Sequence, residues 1–323
     1  MEAIEHALVV VNNWRSSHSY PVNTFQMGLR QRVARVDDRG PLVSQRIKRL
    51  AAIKAKLVRF ESMDLARMHD IGGCRAVVAS IPKVQQLVDS YLKSDMKHEL
   101  KRNDDYIREP KDDGYRGIHL IYAHQSSSHP QYNGLRIEVQ IRTQLQHAWA
   151  AAVETVGTML QQSLKSHQGE AEWLRFFALM GTAMALRERA PRVPNTPWRR
   201  AEFIPELRQL AAKLNVAQRL RGYGAALSTK MLEHPDLKNA HFFLVQLDPK
   251  EHQTMITGFV KTQQQEATDM YLKVERDIAD TPGAEAVLVS VSSLKALRRA
   301  YPSYFLDTNR FLQALQRAIA SRQ

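Results

Sequence analysis

In the run LRIEVQIRT, Glu138, Gln140 and Arg142 alternate with Ile137, Val139 and Ile141. Strict alternation turns the apolar set into a core and leaves a carboxylate, an amide and a guanidinium on one open face. That is a polar platform suited to a metal ion and a nucleotide, although a solvated antiparallel strand carries the same residues for solubility alone. Arg46 and Lys48, followed on a helix by Lys54 and Lys56, space cations as a phosphate chain requires, and Arg adds a planar fork that also stacks on a base. A basic helix edge is the plainer alternative. Asp70 and Arg75 bracket Gly72 and Gly73. An aspartate suits magnesium, a hard cation that prefers oxygen, and the glycines let backbone approach a triphosphate; a tight turn with a chance salt bridge has the same letters. In PKDDGYRGIH (110–119), Tyr115 stands in a Gly-containing loop where its ring offers a base a stacking surface worth about 1–3 kcal/mol. A hairpin turn with an exposed tyrosine is again the alternative.

In this order and spacing, the four stretches resemble the synthetase domain of the RelA/SpoT family. The family pattern reads approximately R-x-K-x3-S-I-x2-K-L, D-[LI]-x-G-x-R, D-Y-I-x2-P-K-x2-G-Y-x-S-x-H, and E-x-Q-[IV]-R-T followed by an [HN]-x-W-A helix. The corresponding stretches here are RIKRLAAIKAKL (46–57), DIGGCR (70–75), DYIREPKDDGYRGIH (105–119) and EVQIRTQLQHAWA (138–150). The resemblance implies an α+β fold: a nucleotidyltransferase-like mixed β-sheet flanked by helices, then further helices and a small C-terminal α/β module. It also implies an ATP-dependent pyrophosphokinase that moves the β,γ-diphosphate of ATP to the 3′-hydroxyl of GDP or GTP with Mg2+. Arg46 and Arg75 match the arginines that sandwich adenine, and Lys48 and Lys56 match the cations on the ATP phosphates. Asp70 and Glu138 match the magnesium ligands, and Glu138 also matches the general base. Tyr115 matches the tyrosine that stacks on guanine; Lys111, His119, Gln140 and His147 match positions that contact the acceptor. A structural histidine beneath the strand is the alternative for His119, whereas Trp149 and Cys74 read as packing.

Three departures stand out: Ala52 for the family's serine, Gly117 for the serine of G-Y-x-S-x-H, and Val153-Glu154 where small members read E-H. Toxic relatives place the same diphosphate on the 3′-CCA end of tRNA or on adenosine nucleotides, so tRNA is the alternative acceptor. In that case the C-terminal module is a candidate regulatory or antitoxin-like partner to its own enzyme. A non-catalytic RNA-binding protein is the third reading. The H-x3-H…H-D hydrolase signature is not seen upstream, so degradation of the product is not expected. Homo-oligomers or a regulatory protein partner are compatible with the family.

The elements that must position these residues are partly legible. Residues 2–37 read as two helices around SSHSYPVN, and Pro41–Lys48 reads as an extended stretch. RLAAIKAKLVRF (49–60) has Leu50, Ile53, Leu57 and Phe60 on one side of a helix. CRAVVAS, GIHLIYAH and LRIEVQIRT read as strands, and KRNDDYIREPKDDGYRG as a polar loop. KVQQLVDSYLKS (83–94) is amphipathic, with Val84, Leu87, Val88 and Leu92 as its stripe. Thr143 is placed to cap the helix QLQHAWAAAVETVGTMLQQSL, and helical patterns continue to about residue 190. RVPNTP (192–197) is the linker candidate between units 1–190 and 198–323. Beyond it, helices are expected over about 200–234, then strands FFLVQLD and EAVLVSV separated by a helix near 263–280, then helices.

The chain has 323 residues, a net charge of +13, 44% hydrophobic residues and one cysteine. Residues 239–323 hold 10 Lys+Arg against 9 Asp+Glu, so nearly all the excess positive charge lies on residues 1–238. Such an excess attracts polyanions, whether nucleotides or RNA, or simply keeps the surface solvated. A lone Cys74 forms no internal disulfide. The start MEAIEHALVVVNNW is unlike a signal peptide, and no stretch nears the roughly 20 apolar residues of a membrane span. The expectation is a cytoplasmic protein with no membrane partner.

Overall fold

The structure is a computed structural model and describes residues 2–38, 40–160, 170–226, 228–231, 239–248, 250–279, 281 and 283–320. Its frame is a mixed sheet. In chain order the strands are β1 (Leu42–Ile47), β2 (Gly72–Val78), β3 (Glu99–Asp105), β4 (Ile118–Ala123), β5 (Arg136–Thr143), β6 (Ser228–Met231), β7 (Phe242–Asp248), β8 (Gln253–Phe259) and β9 (Glu285–Ser290). They form one nine-stranded sheet among the described residues, ordered β3-β4-β5-β2-β1-β9-β7-β8-β6. The pairs β2–β5 and β6–β8 are parallel, and the rest are antiparallel.

One face of the sheet is closed by α2 (Ser19–Val36) and α4 (Ile81–Leu92). Val22, Phe25 and Leu29 of α2 and Val84 and Leu87 of α4 pack on Cys74, Ala76, Val78, Ile137, Val139 and Ile141. The alternation of β5 therefore holds, and Cys74 is buried packing as expected. Gly72 makes room for this layer, because a Cβ there would fall 2.4 Å from Val22 Cγ2. A second core, centred on Trp149, Trp173, Phe176, Phe177 and Phe311, joins α5 (Gln144–Met159), α6 (Ala171–Arg187), α7 (Arg200–Lys213), α8 (Val216–Ala226) and α11 (Asn309–Ala320). Trp149 also donates its indole N–H to the Phe177 carbonyl at 2.9 Å, as a packed tryptophan should. α5 starts with the expected cap: Thr143 Oγ1 accepts from Gln146 N, and Gln146 Oε1 accepts from Thr143 N.

The division expected at residues 190–198 is not where the sheet breaks. β9 pairs with β1 (Gln45↔Ser290, Arg46↔Val289), and α11 packs on α5, α6 and α7. The expected linker is folded into the core: Val193 is buried and Thr196 hydrogen-bonds Thr182. The C-terminal strands share an apolar face with Leu42 and Val77, and that face needs a cover. α10 (Leu294–Ala300) and the following short turn (Pro302–Phe305) supply it through Leu297, Tyr301, Tyr304 and Phe305. Two ion pairs add to the join: buried Arg15 of α1 (Glu2–Ser17) meets Glu275 of α9 (Gln264–Asp277) at 2.8 Å, and half-buried Arg49 meets Glu285 at 2.5 Å.

Three strands, β3, β6 and β8, differ from the sequence reading. β3 falls in the expected polar loop; its residues ELKRNDD offer no apolar alternation because it is a charged edge strand. β8 lies between the two expected C-terminal strands and makes a hairpin with β7. α3 (Leu50–Arg59) buries Ile53, but Phe60 is exposed, and Leu92 of α4 is exposed where the stripe placed it inward. Those positions lie at helix ends, where the face turns to solvent. The expected tail of the 144–164 helix and its continuation through 161–169 lie outside the described residues, as do 227 and 232–234 of the 200–234 helical stretch. Ser228–Met231 of that stretch form strand β6, paired with β8, in place of the expected helix. Among the described residues, no helix is long and apolar enough to cross a membrane.

Candidate active site

The register of the sheet lines up the chemistry. One row runs Ser44–Arg75–Gln140–His119–Asp104 across β1, β2, β5, β4 and β3, and another runs Arg46–Gly73–Glu138. Residues in a row share a face, so Arg46, Arg75, Glu138 and Gln140 stand on the side that α2 and α4 leave uncovered. Gly73 lies between Arg46 and Glu138 without a side chain and opens a gap there. Of the two glycines in DIGGCR, only Gly73 faces the cleft.

At one end of the cleft, the backbone ties Lys48 N to Ile71 O at 2.8 Å and so brings the ends of β1 and the 61–71 loop together. Asp70 then receives Lys48 Nζ on Oδ2 at 2.5 Å and Lys56 Nζ of α3 on Oδ1 at 3.0 Å. Burial alone would push the Asp70 carboxyl up, but the two ammonium groups outweigh it and hold it at about 2. Burial pushes Lys48 down, and Asp70 offsets that only in part. Lys54 of the same basic stretch is exposed.

At the other end, Glu138 is held at both oxygens. His119 Nδ1 meets Oε1 at 2.8 Å, and Gln140 Nε2 donates to Oε2 at 2.6 Å. Burial pushes Glu138 up, yet His119 wins and the carboxyl lies below its ordinary range. Burial disfavours a charged His119, yet Tyr115 and Glu138 raise it to about 9. A protonated ring donates from both nitrogens, so its Nε2 donates to Tyr115 Oη at 2.5 Å. Arg142 donates to the same phenol at 2.6 Å and to Gln140 Oε1 at 3.1 Å, and Arg75 donates to Gln140 Oε1 at 3.3 Å. Tyr106 stands edge-on to Tyr115, with ring centroids 5.9 Å apart, and Lys111 Nζ lies 4.3 Å from the Tyr106 ring and 5.3 Å from that of Tyr115. Two aromatic rings beside a cation are groups whose chemistry suits an anionic, base-bearing ligand.

The structure thus brings together Arg46, Lys48, Lys56, Asp70, Arg75, Glu138 and Gln140 around one cleft, with Lys111, Tyr115 and His119 adjoining it. It does not bring His147 there. His147, on the first turn of α5, faces the C-terminal segment and hydrogen-bonds the Arg299 carbonyl through Nε2 at 2.9 Å. Burial, with Arg75 and Arg142 nearby, pushes it down to about 3, so it is neutral. Sequence reasoning missed Tyr106 and Tyr301. The first is visible as the aromatic of DYI. The second had no local signal, because only the fold carries residue 301 to β1, where its hydroxyl donates to Gln45 O at 3.0 Å and its ring lies 5.9 Å from the Arg75 guanidinium. Arg75 also donates to the Ala300 carbonyl at 3.4 Å.

The family described as "Region found in RelA / SpoT proteins" matches residues 45–156. Those residues form a RelA/SpoT-type synthetase domain. Over 127 residues, the chain is 29% identical to the GTP pyrophosphokinase YjbM of Bacillus subtilis, covering 38% of this chain and 60% of that protein. It is 32% identical over 84 residues to the GTP pyrophosphokinase YwaC of the same organism, covering 26% of this chain and 40% of that protein. The chain therefore spans three-fifths or less of the length of these relatives. Among solved structures, the small alarmone synthetase 1 from B. subtilis bound to its product pppGpp matches at TM-score 0.45 and 24% identity, over 58% of this chain and 94% of that one. The small alarmone synthetase 2 of that organism matches at TM-score 0.45 and 20% identity, over 57% and 94%. In this chain the RelA/SpoT domain supplies β1 to β5, and β9 extends its sheet at β1.

Proposed function

We propose that the protein is an ATP-dependent pyrophosphokinase that transfers the β,γ-diphosphate of ATP to the 3′-hydroxyl of GDP or GTP. The observation that carries this reading is the convergence on one cleft of a phosphate-sized cation cluster, Lys48 and Lys56 on Asp70, with an ionised Glu138 beside it. The acceptor's 3′-oxygen attacks the β-phosphorus, the bond from that phosphorus to the α–β bridging oxygen breaks, AMP departs, and Glu138 takes the hydroxyl proton. A carboxylate below its ordinary pKa is a weak base for an alcohol. Positioning and charge neutralisation by Lys48, Lys56, Arg46 and Arg75 therefore supply most of the acceleration. Tyr106, Tyr115 and Lys111 hold the acceptor's base and phosphates.

Magnesium fits the donor set. Asp70 and Glu138 line the same cleft and feel each other's charge, and Mg2+ commonly takes one or two carboxylates alongside phosphates and water. Bound there, the ion would neutralise the phosphate oxygens.

Two features favour the second reading, in which the acceptor is the 3′ end of tRNA and the C-terminal segment regulates the enzyme. The positive charge concentrated on residues 1–238 suits a polyanionic acceptor. Tyr301 and Ala300 engage Arg75 at the position proposed for adenine. Incubation with γ-labelled ATP and GDP, GTP, ATP or bulk tRNA separates the readings by the acceptor that gains label. Label on GDP or GTP supports the first, label on tRNA alone replaces it with the second, and no label on any acceptor defeats both. Glu138→Gln is expected to lower transfer by about 100-fold or more, and full activity in that variant would refute its role as base.

A further inference from the structure

β2 and β5 are parallel neighbours, and each runs at its carboxyl end into a helix, β2 into α4 and β5 into α5. α4 packs on the closed face with α2, whereas α5 joins the helical core with α6 and α11. Where neighbouring strands send their helices to different sides, the crevice beyond the strand ends is the usual place for a ligand. A cavity of ≈520 Å3 lies there, within the range of small-molecule sites. Its walls include Ser80 and Gln144 at the two helix starts, Arg187 and Arg189 at the end of α6, and Arg310 and Arg317 of α11.

Four arginines, all exposed, line this cavity, and the opposing charge is slight. The one carboxylate in the lining is Glu188; it accepts from Gln146 Nε2 at 3.3 Å, and burial pushes its carboxyl up. Asp37, just behind, is committed to the Ala79 N–H at 2.7 Å. Among the described residues, the side chains of Arg187, Arg189 and Arg317 make no hydrogen bond or salt bridge, although Arg187 is near enough to Glu188 to act on its charge. Among the described residues, the Arg310 side chain donates to Gln144 Oε1 alone. Ser80 makes no side-chain capping bond at the start of α4. In the groove that continues the cavity past Gln144 and Arg310, His147 presents a buried Nδ1 without a partner, and Arg298 and Arg299 add two further cations.

We propose that this cavity binds a nucleoside polyphosphate, separate from the catalytic cleft, with its phosphates on Arg187, Arg189, Arg310 and Arg317. Arginine forks match phosphate oxygens two at a time, and the two helix starts add their partial positive charge. Because α11 supplies two of the four arginines and α6 the others, the ligand fastens the C-terminal helix to the synthetase half.

Calorimetric titration of the full chain with GTP, ATP and inorganic tripolyphosphate tests this. The titration uses the wild type, a Lys48→Met/Lys56→Met variant that disables the donor cleft, and an Arg189→Ser/Arg317→Ser variant. The expected result is one nucleotide-binding event that survives in the lysine variant and weakens by at least about 10-fold in the arginine variant. The arginine variant should keep the wild-type rate of diphosphate transfer and a native circular dichroism spectrum. A nucleotide binding more tightly than tripolyphosphate supports the proposal, and equal binding overturns the nucleoside part of it. Loss of all binding in the lysine variant, or displacement by an RNA oligonucleotide but not by nucleotides, overturns the site itself.

Discussion

Asp70→Asn removes a charge from the Lys48–Asp70–Lys56 cluster while keeping the shape of the side chain. The carboxyl sits at about 2 in the folded protein against an ordinary 3.8. The difference is worth about 2 kcal/mol of folding free energy at neutral pH. The Asp70 side chain is 26% exposed, so solvent screens the cluster only in part. The sign follows from the direction of the shift. A depressed carboxyl stabilises the fold above its unfolded pKa and loses that contribution as pH falls through its folded value. The wild type should therefore exceed the variant by about 2 kcal/mol at pH 7, keep most of that margin at pH 4.5, and retain about half of it near pH 3. Urea unfolding of both proteins from pH 7 to pH 3 measures the margin. A margin that stays constant over that range, or a variant as stable as the wild type at pH 7, would refute the electrostatic account. The same variant should lose diphosphate transfer.

Tyr301→Phe removes the hydroxyl that holds residue 301 to Gln45 O, a hydrogen bond worth about 1 kcal/mol. Equilibrium binding of ATP should tighten by about 5-fold, and an unchanged affinity would show that Tyr301 does not compete with the donor. Gly114→Ala forces a side chain onto a backbone with φ +97°, with its Cβ 3.0 Å from both the Phe177 carbonyl and the Trp149 ring. Acceptor KM should rise and stability fall by about 1–3 kcal/mol, with ATP binding unaltered. Phe311→Ala opens the core shared by α5, α6 and α11 at a cost of about 3–5 kcal/mol. Thermal unfolding should keep a single transition at a lower temperature, and two separated transitions would contradict the shared core.

How far the sequence reveals this site depends on whether its signal is local. β5 announces itself because one face packs in an apolar core and the other carries polar groups, so period-2 alternation survives in LRIEVQIRT. The ion-pair cluster of Lys48, Lys56 and Asp70 is legible because these residues lie within short motifs that the fold only has to close. β3 is illegible for the opposite reason. An edge strand with both faces wet has no pattern, and its charges read as loop. His147 depends on more than its motif: its helix is present, and its side chain hydrogen-bonds the C-terminal segment. Tyr301 is further still from any local signal, since what makes it part of the cleft is an apolar sheet face that needed covering. Pro and polar residues in RVPNTP mark irregular backbone, and irregular backbone can still be buried, as Val193 and Thr196 are.

β1 has a neighbour on each side, β2 through six aligned residue pairs and β9 through two. Shortening the chain to the synthetase half would strip β9 away and turn β1 into a bare rim. Its freed backbone amides and carbonyls, beside the uncovered Leu42 and Val77, form a template on which identical chains stack. A shortened protein that precipitates would thus report a raw sheet edge rather than a missing activity. Recombinant work on the half that holds the RelA/SpoT region should instead keep residues 283–320 in place, or bring them back as a separate polypeptide that zips onto the rim.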